Sequence, residues 1–138
     1  MDAKARILEF TRKNKLCVVS TSVDNQPESA LVDFIINDDL EIVFNTYTTS
    51  RNYKNLLINP RVSIVTGFGE TLETLQYEGI ARELGGHEEG EIMAQHRDTL
   101  EFFRRWKIDN MKYFRVQPTK IKLSDFSQFP PKILETNY

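Results

Sequence analysis

The sequence has few of the residues that form disulfides or bind transition metals. Its 138 residues include one cysteine, Cys17, and two histidines. A lone cysteine cannot close a disulfide within the chain, and this Cys and His content falls short of the ligand set of a structural zinc site. We therefore expect no metal, and we predict that Cys17, which lies in an apolar run, is a buried core residue.

Long apolar runs and an excess of charge are also absent. No run approaches the roughly 18 apolar residues that span a bilayer, and the N-terminus has no signal-peptide core. Lys and Arg number 18 against 20 Asp and Glu, a formal net charge of −2, which argues against broad nucleic-acid binding. We expect a cytoplasmic protein with no membrane or nucleic-acid partner. A small barrel that binds single-stranded nucleic acid through aromatic residues would need a basic groove, and the sequence shows none.

The familiar signatures of catalysis are missing as well. The sequence has no nucleophile elbow, no Walker phosphate loop and no paired metal-ligating histidines. Its glycine pairs, Gly67 with Gly69 and Gly85 with Gly86, lack the strand, loop and helix context of a dinucleotide-binding fingerprint. The sequence therefore names no catalytic residue.

Hydrophobic residues make up 40% of the chain, which is enough for one well-buried core. Their spacing predicts a single domain over residues 1–126 and a C-terminal tail over residues 127–138. A period of two predicts strands at residues 16–22, 29–36, 40–45, 62–65, 71–84, 111–116 and 120–123. Gly79, inside the longest of these, indicates a bulge or a close backbone approach.

Helical spacing predicts helices over residues 2–14, from about Ser50 onward, and over residues 88–108. These helices do not alternate regularly with the strands, which follow one another through short turns. The pattern therefore predicts a mainly β, mostly antiparallel barrel with flanking helices.

Residues 46–56 combine hydroxyl side chains with two cations at the start of a predicted helix. Arg51 and Lys54 are three residues apart and so share one face of that helix. Hydroxyls, backbone N–H groups and cations at a helix start make a phosphate-sized anion site. The residues alone leave a second interpretation equally open, in which a capped surface helix carries solvated basic side chains.

Six short segments, at residues 17–27, 43–46, 50–56, 59–63, 77–82 and 114–118, follow one another in a distinctive order. In this order they resemble the split-barrel family that binds flavin mononucleotide (FMN), typified by pyridoxamine 5'-phosphate oxidase. The resemblance covers residues 4–124. It implies an antiparallel six- or seven-stranded split β-barrel, and a homodimer that holds FMN at the subunit interface.

The resemblance also implies where the phosphate of FMN would bind. The family holds it with a Ser-Arg-Lys stretch, which in this chain is Ser50, Arg51 and Asn52. The third position has lost its cation, and Lys54 is the residue that would replace the charge.

The flavin ring is expected along three strands, at Ala30, Leu31, Val32, Asn45, Thr46, Thr74 and Gln76. The first three of these lie on the second strand and the next two at the end of the third. The last two are two residues apart on the long strand and so share one face of it, and the resemblance implies that Thr74 or Gln76 reaches the polar edge of the ring.

The chain departs from the oxidase itself in its cations. The oxidase has an arginine and a lysine on the second strand, where this chain has Ala30 and Ile35. Its closing Arg-Leu-His-Asp-Arg stretch has no counterpart in residues 124–129. A phosphate-bearing pyridoxal substrate would lack its cationic partners, so a true pyridoxamine 5'-phosphate oxidase is not expected.

We therefore predict an FMN-binding flavoprotein, an oxidoreductase whose small-molecule substrate the sequence does not name. The alternative is a non-catalytic module that binds or stores flavin or haem. Another flavin, a deazaflavin or haem replaces FMN in relatives of this fold, and these are the alternative cofactors.

Overall fold

The computed structural model describes residues 2–95 and 110–138. The helices in these stretches are α1 (Ala3–Thr11), α2 (Arg51–Ile58) and α3 (Gly86–Gln95). The strands are β1 (Leu16–Val23), β2 (Gln26–Ile36), β3 (Ile42–Tyr47), β4 (Arg61–Gly67), β5 (Glu73–Glu83), β6 (Met111–Asp125) and β7 (Lys132–Asn137). Of the helix predicted over residues 88–108, residues 96–108 lie outside the described part.

The seven strands form one antiparallel sheet that closes on itself. Their order is β3-β2-β1-β4-β5-β6-β7, and an additional pairing of β3 with β6 joins the ends of a six-stranded barrel. β7 lies outside this closed set, beside β6. The predicted mainly β fold, an antiparallel split barrel with flanking helices, is confirmed. In the two described stretches, none of the helices has the length and apolar character needed to cross a membrane.

The interior of the barrel is filled by alternate side chains of its strands. Cys17 and Val32 are directly paired on β1 and β2, and both belong to the core. The rings of Phe44 on β3 and Phe114 on β6 stack with centroids 5.8 Å apart, where the barrel closes. Cys17 is buried as predicted, and burial raises the pKa of its thiol. Each fully buried apolar side chain contributes about 1.5–3 kcal/mol, so this core is the main source of stability.

A smaller apolar cluster lies on the outside of the barrel and packs against α3. Its members are Ile35, Val43, Leu84, Ile92 and Tyr113. An ion pair joins the start of α3 to β5: both Nη atoms of Arg82 on β5 donate to the carboxylate of Glu88 on α3, at 3.0 and 2.9 Å. These hydrogen bonds lower the pKa of Glu88 to about 2.

The pairing of β5 with β6 contains a bulge at Gly79. The register shifts between Glu78 and Gly79, and Gly79 lies opposite Pro118 of β6. A Cβ atom at Gly79 would lie 2.4 Å from the carbonyl oxygen of Gln117, which is closer than real Cβ atoms approach. The irregularity predicted at Gly79 is therefore confirmed, and it is both a bulge and a close approach of two backbones.

Two features of the C-terminal third differ from the sequence prediction. β6 runs unbroken through residues 117–119, where a break between two strands was predicted. The bulge accommodates Pro118, which has no N–H to donate to a ladder. The residues expected to form only a tail include β7, which pairs with residues 120–125 of β6.

The ion pair of Arg82 with Glu88 predicts a dependence on acidic pH. The pKa of Glu88 lies below the ordinary value of 4.5, so the contribution of the pair is complete above pH 4.5 and is lost as the pH falls toward 2. An NMR titration of the Glu88 carboxyl carbon should show a midpoint near 2. In Arg82→Gln the midpoint should return toward 4.5. A wild-type midpoint already near 4.5 would show that the pair does not form in solution.

The close approach at Gly79 predicts that even a methyl group is not tolerated there. Gly79→Ala should lower the free energy of unfolding by about 2–3 kcal/mol, because the backbone of Gln117 must move. Gly85→Ala is the matched control, since a Cβ atom there meets nothing within 4 Å and the change should stay within about 0.5 kcal/mol. Chemical denaturation of both variants measures the difference, and equal stabilities would contradict the role given to Gly79.

Candidate functional site

The hydroxyl-rich segment leads into α2 through a chain of hydrogen bonds. Ser50, near which the sequence predicts the helix to begin, is the N-cap, and its Oγ accepts from the backbone N–H of Tyr53 at 3.1 Å. The Ser50 hydroxyl donates to the carbonyl of Tyr47 at 2.8 Å, so in the 3.0 Å contact with Thr46 the Thr46 hydroxyl is the donor. The Nδ2 atom of Asn52 donates to Thr46 Oγ1 at 3.5 Å. Thr46, Ser50 and Asn52 thus form one connected polar group.

The first turn of α2 keeps two backbone donors available. The N–H of Tyr53 is taken by the Ser50 side chain, and that of Lys54 by the Ser50 carbonyl at 3.3 Å. Within residues 2–95 and 110–138, the N–H groups of Arg51 and Asn52 have no acceptor. Free N–H groups at the positive end of a helix attract anions.

Arg51 is already engaged by a carboxylate at this helix start. Its Nε atom lies 3.1 Å from Oε2 of Glu28, near the beginning of β2. Lys54, the other predicted cation, is exposed, and nothing in the described part of the chain forms an ion pair with it. The sequence did not single out Glu28. The two-residue period is the signal that could have found it, since that period places Glu28 on the same face of β2 as Ala30.

Two buried asparagines carry side-chain atoms without partners in the described structure. Asn45 is 2% exposed, and neither its Oδ1 nor its Nδ2 is hydrogen bonded. Asn52 is 3% exposed, and its Oδ1 is unpaired. An unpaired buried polar group costs about 1–3 kcal/mol, so a hydrogen-bonding ligand at either atom would be stabilising. Asn45 and Thr46 are neighbours on β3, so their side chains leave the strand on opposite faces.

The three residues of β2 that were predicted to lie along the flavin ring do not share a face of that strand. Ala30 and Val32 pack against the barrel core, whereas Leu31 is 67% exposed on the outer face. A ligand on that outer face would meet only the backbone of Ala30 and Val32. Leu31 instead belongs to a cross-strand row, since it pairs with Val18 of β1 and Val18 pairs with Val65 of β4.

An open groove of about 510 Å³ crosses this outer face of the barrel. Its lining includes Leu16, Leu31 and Val65, which are 42% to 67% exposed, together with Thr74. Gln76, which pairs with Val65, lines a smaller hollow of about 240 Å³. The other residues of that hollow are Ser63, Glu78, Lys120 and Lys122.

The structure therefore arranges most of the predicted site residues in two groups. The first, at the start of α2, contains Thr46, Ser50, Arg51, Asn52 and Lys54. The second, on the outer face of the barrel, contains Leu31, Thr74 and Gln76. β2 runs between the two groups: Glu28 and Leu31 are three residues apart along this strand, a rise of about 10 Å, and lie on opposite faces of it. The side chains of Ala30, Val32 and Asn45 belong to neither group.

Metal chemistry has no site in the part of the chain that the structure describes. No group of three or more His, Cys, Asp or Glu side chains in that part could hold a metal ion.

Asp33 is a buried carboxyl opposite Leu16 in the pairing of β1 with β2. Burial raises the pKa of Asp33, while its hydrogen bond from the backbone of Phe34 and the charge of Lys15 act in the opposite direction.

Solved structures share this architecture along most of the chain. A heme binding protein from Mycobacterium smegmatis superposes with a TM-score of 0.80 at 14% identity, over 99% of this chain and 58% of that protein. General Stress Protein 26 from Bacillus anthracis gives 0.74 at 19% identity, over 99% of this chain and 100% of the other. A FAD-binding protein from Mesorhizobium loti gives 0.72 at 16% identity, over 89% and 92%. At these identities the likeness establishes the fold.

The amino-acid sequence supplies the family. A comparison with curated proteins finds no match. The family profile described as pyridoxamine 5'-phosphate oxidase matches residues 3–125, nearly the whole chain. The chain therefore belongs to the pyridoxamine 5'-phosphate oxidase family.

Proposed function

We propose that the protein is an FMN-binding oxidoreductase that works as a homodimer. The start of α2 is the observation that carries this proposal. There, two free backbone N–H groups and the guanidinium of Arg51 lie at the end of the Thr46 and Ser50 hydrogen-bond chain. Membership of the family supports FMN as the ligand, because the family binds it at this position of the fold.

The phosphate of FMN would be held by the first turn of α2. The N–H groups of Arg51 and Asn52 and the helix dipole favour an anion there. Glu28 faces the Nε atom of Arg51, which leaves the Nη atoms for charge-assisted bonds to phosphate oxygens. Lys54 adds a second positive charge on the same helix. The unpaired Oδ1 of Asn52 is an acceptor, so it suits a ribityl hydroxyl rather than a phosphate oxygen.

The flavin ring would lie in the groove on the outer face of the barrel. Leu16, Leu31 and Val65 offer an apolar surface to the flat face of a ring, and Thr74 and Gln76 offer polar groups to its edge. A second copy of the chain packed across the groove would bury these exposed aliphatic side chains and exclude water from the ring. This supports a homodimer with the flavin between its subunits.

When bound, FMN supplies the electron transfer, and the side chains of the protein bind it, orient it and keep it dry. The substrate of the family's namesake is not proposed for this chain. Ala30 packs against the core and Ile35 lies in the outer apolar cluster, so β2 presents no cation to a second phosphate group. An electron donor or acceptor that lacks a phosphate monoester is therefore the expected substrate class.

Haem binding is the second candidate, and the name of the Mycobacterium smegmatis relative favours it. This chain spans 58% of that protein. The histidine within the described residues is His87, whose side chain is 89% exposed and lies 3.1 Å from Glu91. Cys17 is sealed in the barrel core. His87 is not part of the groove wall, and Cys17, which is, is 1% exposed and has a thiol pKa raised by burial, so neither is suited to be an axial ligand of haem and we prefer the flavin.

Visible absorption spectra after loading with FMN or riboflavin test the proposed function. Protein incubated with FMN and passed over a sizing column should retain about one flavin per chain. Riboflavin, which lacks the phosphate, should be retained far less well, because the start of α2 then has no anion to bind. Equal retention of the two flavins would contradict the phosphate site, and a haem band in the purified protein would favour the second candidate.

The role of Arg51 predicts a loss of FMN affinity on truncation. Arg51→Ala should raise the Kd for FMN roughly 10- to 150-fold, the equivalent of about 1.5–3 kcal/mol for a charge-assisted hydrogen bond. Arg12→Ala is the control, since Arg12 pairs with Asp38 in an exposed ion pair elsewhere. Fluorescence quenching of FMN measures both variants. An unchanged Kd in Arg51→Ala would remove Arg51 from the site.

A further inference from the structure

We propose that Glu28 sets how strongly the site discriminates between flavin phosphates of different charge, weakening the binding of a doubly charged phosphate monoester more than that of a singly charged phosphodiester. The inference rests on the proposed flavin function, and it adds a specificity-determining residue to that site. Its basis is the contact of Glu28 with Arg51, the one arginine at the start of α2.

The position of Glu28 is fixed by the packing of α2 on the end of the barrel. Glu28 pairs with Thr21 of β1, and the Thr21 hydroxyl accepts a hydrogen bond from Nδ2 of Asn55 at 3.0 Å. α2 is therefore attached to β1 through Asn55 and to β2 through Arg51. The backbone of Glu28 is therefore held in register beside the start of α2.

The carboxylate of Glu28 is shielded from water, whereas the Arg51 side chain that it faces is 53% exposed. The Glu28 side chain is 22% exposed, whereas Asp38, in its ion pair with Arg12, is 86% exposed. Charges that are shielded from water interact more strongly than solvated ones. The Glu28 carboxylate therefore repels any anion that binds to Arg51.

Counting the charges at the start of α2 shows how Glu28 affects the binding of phosphates that carry different charges. Glu28 offsets the charge of Arg51, and Asn52 is neutral, which leaves Lys54 as the remaining cation. A phosphate monoester carries about −1.5 to −2 charge at pH 7. Such a group meets more repulsion from Glu28 than a diester, which carries one negative charge. Glu28 therefore narrows the preference of the site for the more highly charged phosphate of FMN.

Three flavins that differ in phosphate charge test this inference with Glu28→Gln. The probes are riboflavin with no phosphate, the methyl ester of FMN with one charge, and FMN with two. Glu28→Gln should tighten FMN binding roughly tenfold and binding of the methyl ester by roughly threefold, and leave riboflavin unchanged. Asp38→Asn is the matched control, because it removes one carboxylate from an ion pair beyond the opposite end of β2. It should change none of the three affinities.

A double-mutant cycle separates the charge effect from a change in the fold. Glu28→Gln should tighten FMN binding less when it is introduced into Arg51→Gln than when it is introduced into the wild type, because the guanidinium that it would free is absent. Glu28→Ser, which also removes the charge, should reproduce the order of the gains if the glutamine variant does not fold.

Each outcome of the titrations is decisive. An equal change for all three flavins, or no gain for FMN, would overturn the role of Glu28 while leaving FMN binding intact. A gain that grows with the charge of the phosphate, largest for FMN and absent for riboflavin, would support the inference. No flavin bound by any variant would overturn the proposed function, and the inference with it.

Discussion

The contact of Gly79 with the backbone of Gln117 is the constraint on which the closure of the barrel depends. The bulge at this point lets one long strand, β6, pair along one edge with β5 and along the other with two partners. Residues 111–116 pair with β3 and close the barrel, and residues 120–125 pair with β7. Without the bulge the register on one side of Gly79 would place core side chains outside.

Closure of the barrel in turn places the start of α2. β3 ends at Tyr47, and its last residues carry the hydroxyl and carbonyl that receive Ser50. This chain of hydrogen bonds uses the protons of both Thr46 and Ser50, so the hydroxyls orient the turn and are not free donors. The backbone N–H groups of the first turn and the guanidinium of Arg51 remain as the donors of this end of the barrel. The proposed anion site would therefore consist of backbone N–H groups together with the cations Arg51 and Lys54.

Periodicity predicted the barrel, the hydroxyl-rich segment predicted a helix beginning near Ser50, and a glycine inside a strand predicted the irregularity at Gly79, because each of these is set by local chemistry. Periodicity did not predict β7, which is short and exposed and becomes a strand only because β6 has a free edge there. The candidate site was harder, since a resemblance names positions and not faces. Leu31 and its neighbours Ala30 and Val32 separate to opposite sides of β2, and Glu28 reaches Arg51 only once α2 covers the barrel end.

Family membership and ligand preference are decided by different parts of this molecule. The order of strands, the bulge and the capped helix are features of the backbone, and they tolerate the loss of the cations at Ala30 and Asn52. Affinity for a phosphate depends instead on a few side-chain charges, whose sum can change with one substitution. In this chain the carboxylate of Glu28 lies beside Arg51, so the anion site that we propose would be weaker than one built from the namesake's cations.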